Sequence, residues 1–234
     1  MIFTIYKRAL AVLMKKPIKL WGISLLHIAL SALLTGLCGF AIPGLALAVS
    51  LLLSTSMLMV YLHGYRGEEV AVLQLFECFK DWMTIKRVVL GLGWMLLWIF
   101  LWGLIPIVGP IFAIIRAYEY RLTPYILITE PDVPLTEAIK VSKQRTNGYK
   151  LKMFGADILF GVIVCVGLLV VGLVLGLLGR IPLIGGAFIL ANMLITLAVE
   201  VLSPLFMGLV QAAFYEEINN STTPAPAEEE SGVA

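Results

Sequence analysis

Charge is what this sequence has least of. Of its 234 residues only 14% are Asp, Glu, Lys or Arg, while 60% are hydrophobic. A soluble domain carries about 25% charged and about 45–50% apolar residues. A chain so poor in charge is neither a soluble enzyme nor a disordered segment. A net charge of +2 is also too small to mark a nucleic-acid partner. Cysteine and histidine are scarce. Cys38, Cys78 and Cys165 lie far apart and make neither a disulfide framework nor a metal site. His27 and His63 share no ligand spacing with carboxylates or cysteines, so no metal is expected. Gly-x-Ser-x-Gly, a phosphate-cradling loop and His-Glu-x-x-His are all missing. Serines of the second apolar run have no nearby histidine or lysine base. Neither a cofactor nor an enzymatic activity is expected.

What the chain does have is long apolar runs. A helix needs about 20 mostly apolar residues to cross about 30 Å of hydrocarbon. Six stretches qualify: Leu20–Phe40, Pro43–His63, Val88–Ile105, Ile107–Thr129, Met153–Leu178 and Ile181–Tyr215. The runs are continuous rather than alternating, which excludes the strands of a membrane barrel. Connections after the first, third and fifth runs are short and rich in Gly and Pro, and those after the second and fourth are long and charged. Five Lys/Arg precede the first run, four follow the second and five follow the fourth. Most of the basic residues therefore lie on one side, which the positive-inside rule makes cytoplasmic. The expected place is a bacterial cytoplasmic membrane, crossed several times, with both termini inside. The first run is too long for a signal core and reads as retained.

The three hairpins look alike. Each is preceded by an amphipathic segment ending in basic residues: Ile2–Lys16, the stretch with Val72, Leu75, Phe76 and Phe79, and the stretch with Leu135, Ala138, Ile139 and Ser142. Such helices lie in the interface with their basic faces toward anionic headgroups. Asn147-Gly148 supplies a helix stop. The turns Ile42-Pro43, Ile105-Pro106 and Ile181-Pro182 correspond, as do Leu122-Thr123-Pro124 and Leu202-Ser203-Pro204. The fold expected is an all-α membrane protein of six transmembrane helices arranged as three hairpins, each led by an interfacial helix. A threefold repeat explains the likeness, and so does shared hairpin topology alone. One domain would cover 1–218, in units of about 1–64, 65–130 and 131–218, with a disordered cytoplasmic tail at 219–234.

Polar residues within the runs form stripes. Asn192, Thr196, Glu200, Ser203, Met207 and Gln211 fall within about a 100° arc. Arg116, Glu119, Tyr120 and Thr123 gather similarly, and Ser50, Ser54 and Tyr61 align in the second run. Stripes of this kind are expected to face a bundle interior. An unpaired charge at mid-membrane costs several kcal/mol. Arg116 and Glu119 should therefore pair at i,i+3, with Glu200 completing a cluster or protonated. Arg121 should point away and snorkel, and Asp157 lies near Lys150 and Lys152. The candidate cluster is Arg116, Glu119, Tyr120, Arg121, Thr123, Asp157, Asn192, Glu200 and Ser203. Gly172 and Gly176 suggest close helix packing.

Residues 123–160 carry Pro124–Leu127, Glu130-Pro131-Asp132, Glu137–Ile139 with Ser142, Gly148 with Lys150, and Asp157. Together with Pro204, Ala213, Phe214 and Tyr215, this pattern resembles an uncharacterised bacterial family of six-span integral membrane proteins, a domain of unknown function. A tryptophan expected soon after Asp157 is replaced by Phe160-Gly161. The group is loosely similar to the membrane domain of glycerophosphodiester phosphodiesterases. The resemblance implies fold and topology rather than an activity.

The leading functional expectation is a non-enzymatic accessory or scaffold protein of the envelope. It would bind lipid, a protein partner or a second copy through a polar core between the fourth and sixth runs. The rival is a small transporter or lipid-translocating protein using the Arg116/Glu119/Glu200 cluster. For orientation, a fluorescent reporter fused after Ala234 should be bright, and a phosphatase active only outside the cytoplasm should be silent there.

Overall fold

The computed structural model describes residues 1–15, 17–38, 42–182 and 184–222. Among these, every element is helical: α1 (Ile2–Lys15), α2 (Pro17–Cys38), α3 (Pro43–Arg66), a 3-10 helix (Val72–Phe79), α4 (Trp82–Gly103), α5 (Gly109–Glu119), α6 (Thr123–Thr129), α7 (Leu135–Arg145), α8 (Lys150–Leu178) and α9 (Gly185–Thr222). Local chemistry sets several ends. Proline stands in the first turn of α3, α5 and α6, where its missing N–H costs nothing. Asp81 caps α4 by accepting from the Thr84 N–H at 3.1 Å. Gly67 closes α3 at φ 81°, with its N–H on Gly64 O and that of Glu68 on His63 O. Gly148 takes the same left-handed conformation just after α7, as the Asn-Gly stop predicts.

Two long hairpins carry the fold. In the first, α2 runs against α3, with Ser24 Oγ 3.4 Å from Tyr61 Oη and Leu20 against Gly64. In the second, Gly185 meets the backbone of Gly179 at the turn and Phe160 stacks on Phe206 at 5.3 Å further along. α3 and α9 then lie side by side in the same direction. Gly208 sits against the Tyr61 ring, where any Cβ would clash, and Arg66 pairs with Glu216 at 2.6 Å. Helix α1 crosses beneath them. Tyr6 donates to Ala156 O, and Arg8 reaches Glu217.

Burial divides the molecule in two. The core gathers Ile5 and Ala9, Leu52–Leu62, Leu75, Leu122–Leu127, Ala138, Met153 and Leu205–Ile218 at one end. The far parts of α8 and α9 are apolar yet exposed, from Ile158 to Leu177 and from Ile189 to Leu197. Surface of that composition belongs in lipid. α3, α4, α8 and α9 are each long and apolar enough to cross a membrane. α2 joins them as part of a pair with α1, the two bent by 99°.

The fourth expected crossing is different. Residues 107–129 form two helices, α5 of 11 residues and α6 of 7, separated at Tyr120–Leu122. At 1.5 Å per residue these span about 16 and about 10 Å, too short to cross alone. Both nevertheless run back along α4: Gly103 meets Ala113 near the turn, and Gly91 and Arg87 meet Leu127 and Glu130 further along. Ile111 and Ile114 of α5 share a cleft with Lys150, Leu151 and Phe154 in the first turns of α8. Ile107 takes φ 66° in the tight turn before α5. The return run is thus a broken helix, and the helices long and apolar enough to cross number four among the described residues, or up to five if α1 and α2 are one bent span.

Other expectations also shift. The segment before the second hairpin is a 3-10 helix rather than an α-helix. Leu122-Thr123-Pro124 begins a new helix, whereas Leu202-Ser203-Pro204 rides inside the continuous α9. The two triplets thus play different structural parts. Of the polar stripe of α9, Glu200 is exposed, whereas Asn192, Thr196 and Ser203 are half-buried with Asn192 against Gly172 of α8, and Leu205, Leu209 and Ala212 form the packed face. Gly172 approaches only the Asn192 side chain and Gly176 touches nothing, so close packing falls at Gly179 and Gly185 instead. α9 runs through Thr222, past the expected start of the tail at 219. The expected tail from 223 onward, like Lys16 and the turn residues 39–41 and 183, lies outside the described residues.

The register of α4 against α5 and α6 makes a topological prediction. In a cysteine-free background, single cysteines at Ile107 and Ile184 should react with an impermeant thiol reagent from the same membrane face. Labelling of the two from opposite faces would show that the middle hairpin does not cross.

Candidate functional site

The break between α5 and α6 is where the polar residues converge. The last turn of α5 carries Arg116 and Glu119 on one face, and they pair as expected. The third member is not Glu200 but Lys150 at the start of α8, whose Nζ lies 2.7 Å from Glu119 Oε1. Glu119 is 5% exposed, so its carboxylate is held between two cations inside the protein. A buried acid is tolerable only with such partners. The Arg116 guanidinium also lies over the Trp102 ring, 4.7 Å from its centroid.

Breaking a helix strands backbone groups, and here side chains from neighbouring elements meet them. Ser142 of α7 donates to Glu119 O at 2.8 Å and accepts from the Leu122 N–H at 3.2 Å. Thr146 adds a bond to the same carbonyl. Past the end of α6, Arg87 of α4 donates to the carbonyls of Leu127, Glu130 and Val133. Arg145 clasps the Glu130 carboxylate with both terminal nitrogens. Leu127 packs so closely on Gly91 that a Cβ there would stand 2.8 Å from its methyl groups.

A second ion pair starts from the break itself. Arg121 holds Asp157 in two-pronged fashion at 2.5 and 3.1 Å, and Tyr118 donates to Asp157 Oδ2 at 2.7 Å. Arg121 does not snorkel, because α8 brings a carboxylate within its reach. Thr123 and Tyr120 are buried beside the break, with no partner for Thr123 Oγ1. Of the candidate cluster, the structure brings together Arg116, Glu119, Tyr120, Arg121, Thr123 and Asp157. Asn192, Glu200 and Ser203 stay apart on α9. The residues that sequence reasoning passed over are Lys150, Ser142, Thr146 and Arg87, three of them counted there only as basic flank or amphipathic filler. Near the 3-10 helix, burial pushes the Cys78 thiol above its ordinary range, while its own N–H donates to Ser56 Oγ. A buried thiol of this kind is chemically quiet. Among the described residues no cluster of three or more His, Cys, Asp or Glu could hold a metal.

Residues 94–222 match a protein family described as "Protein of unknown function (DUF975)", a span that takes in α5 to α9 and both ion-pair groups. No curated protein and no solved structure matches the chain, so the likeness to a phosphodiesterase membrane domain gains no support.

The pairing pattern predicts unequal mutational effects. Asp157→Asn leaves Arg121 without a counter-charge, so it should cost roughly 1.5–3 kcal/mol, the range for a charged hydrogen bond. Glu200→Gln removes no intramolecular partner and should leave the melting temperature in detergent unchanged. Differential scanning fluorimetry of both variants checks this.

Proposed function

The chain belongs to the DUF975 family, whose function is unknown, and we propose that it is a non-enzymatic accessory or scaffold protein of the bacterial cytoplasmic membrane. In this reading α2/α3 and α8/α9 cross the membrane as two hairpins. The middle hairpin, α4 with the broken run of α5 and α6 returning along it, is a divergent third copy of the same unit. Both termini lie in the cytoplasm, where the basic segments meet anionic headgroups.

Glu200 supports this reading most directly. It is exposed on α9, and the α8/α9 register set by Gly179–Gly185 and Phe160–Phe206 places it opposite the middle of α8. Proline at 204 has no N–H, so the Glu200 carbonyl also lacks its usual donor four residues on. A carboxyl group and a bare carbonyl on a lipid-facing surface call for a neighbour that supplies donors. That neighbour would be a membrane helix of a partner protein or a second copy, presenting a cation or a hydroxyl or amide. The other intramembrane charges of this half are tied up in ion pairs between helices, which favours a fixed body over a conducting path.

A photocrosslinker at Leu197, one turn before Glu200, should give a discrete adduct in native membranes, weakened by Glu200→Gln. Cysteines at Thr196 and Ser203 should stay closed to impermeant reagents. Open, substrate-protectable cysteines with no adduct would establish a transporter in its place.

A further inference from the structure

A cleft of about 380 Å³ opens between α4, the end of α5 and α7. One wall is a column of indoles, Trp94, Trp98 and Trp102, set four residues apart so that each stands one turn above the last. The first two meet edge to face with centroids 5.8 Å apart. The opposite wall carries Lys140 and Lys143 of α7, neighbours at i,i+3 and both exposed. Neither lysine enters an ion pair among the described residues. Between the walls lies Arg116, whose Nε is buried without a hydrogen-bond partner.

The lining thus offers cations, indole and guanidinium N–H donors and flat apolar rings, with no carboxylate. Its complement must be an anion joined to an apolar body. A free phosphate would leave the indoles bare, and a zwitterionic lipid would bring its own ammonium toward the two lysines. We infer that the cleft binds an anionic phospholipid, with the phosphate between Lys140, Lys143 and Arg116 and an acyl chain along Trp94 and Trp98. Basic pockets beside aromatic residues at the membrane interface suit such headgroups. The inference rests on the membrane placement proposed above and is independent of the scaffold role.

The test uses the full chain in phosphatidylcholine nanodiscs doped with brominated-acyl phosphatidylglycerol, read by tryptophan quenching. Quenching should saturate with phosphatidylglycerol at levels where brominated phosphatidylcholine gives only weak, non-saturating quenching. Lys140→Gln with Lys143→Gln should weaken the phosphatidylglycerol effect roughly twenty-five-fold, about fivefold for each lysine near an anionic surface. These lysines make no ion pairs, so the fold should survive, and melting curves check it. Lys7→Gln with Lys15→Gln on α1 should leave the effect intact. Inorganic phosphate should compete poorly. Equal quenching by both lipids, equal loss in the α1 variant, or full competition by phosphate would each overturn the inference. A carbonate wash separates the two failures: a chain that stays in the membrane without lipid selectivity refutes this site alone, and one that washes off refutes the membrane placement.

Discussion

The requirement that every buried backbone polar group find a partner governs the second half of this protein. A helix that stops and restarts within an apolar segment frees carbonyls and amides where no water can meet them. At Tyr120–Leu122 that requirement is met by Ser142 and Thr146 of the α7 segment, and Arg87 of α4 does the same for the carbonyls at and past the end of α6. Satisfying these groups draws α4 and α7 around α6. The compact end of the molecule follows from that convergence. Its apolar core of Leu122–Leu127, Ala138 and Leu205–Ile218 fills the space the polar contacts define.

The charges obey the same logic at longer reach. Glu119 is nearly sealed from solvent, and Arg116 and Lys150 flank it. Arg121, within the break, pairs with Asp157. Replacing such pairs with apolar groups is often neutral for stability, so their value lies in geometry. They hold the last turn of α5 and the break after it against the first turns of α8. The same Arg116 that pairs with Glu119 lies over Trp102, at the end of the Trp94–Trp102 column facing α7.

Glu200 shows the contrasting case. It precedes its proline by four residues where Glu119 precedes its own by five, but it enters no ion pair among the described residues, and α9 continues through Pro204. One glutamate became the centre of a packed junction, and the other faces outward. The difference lies in neighbours rather than in local sequence.

Much was legible from residue order alone. Apolar runs of crossing length, hairpin turns at Pro and Gly, the Gly148 stop and the Arg116–Glu119 pair all depend on spacing along a single helix. The break at Tyr120–Leu122 was not legible, since Pro124 and Pro204 sit in like triplets and only one has a serine and a threonine of another helix at hand to meet the freed backbone. Nor were Lys150 as a partner of Glu119, Arg121 as a partner of Asp157, or the outward face of Glu200. Those contacts join residues 31, 36 and more positions apart. Periodicity fixes which residues share a face of one helix, but which helix comes to that face is settled only when the chain packs.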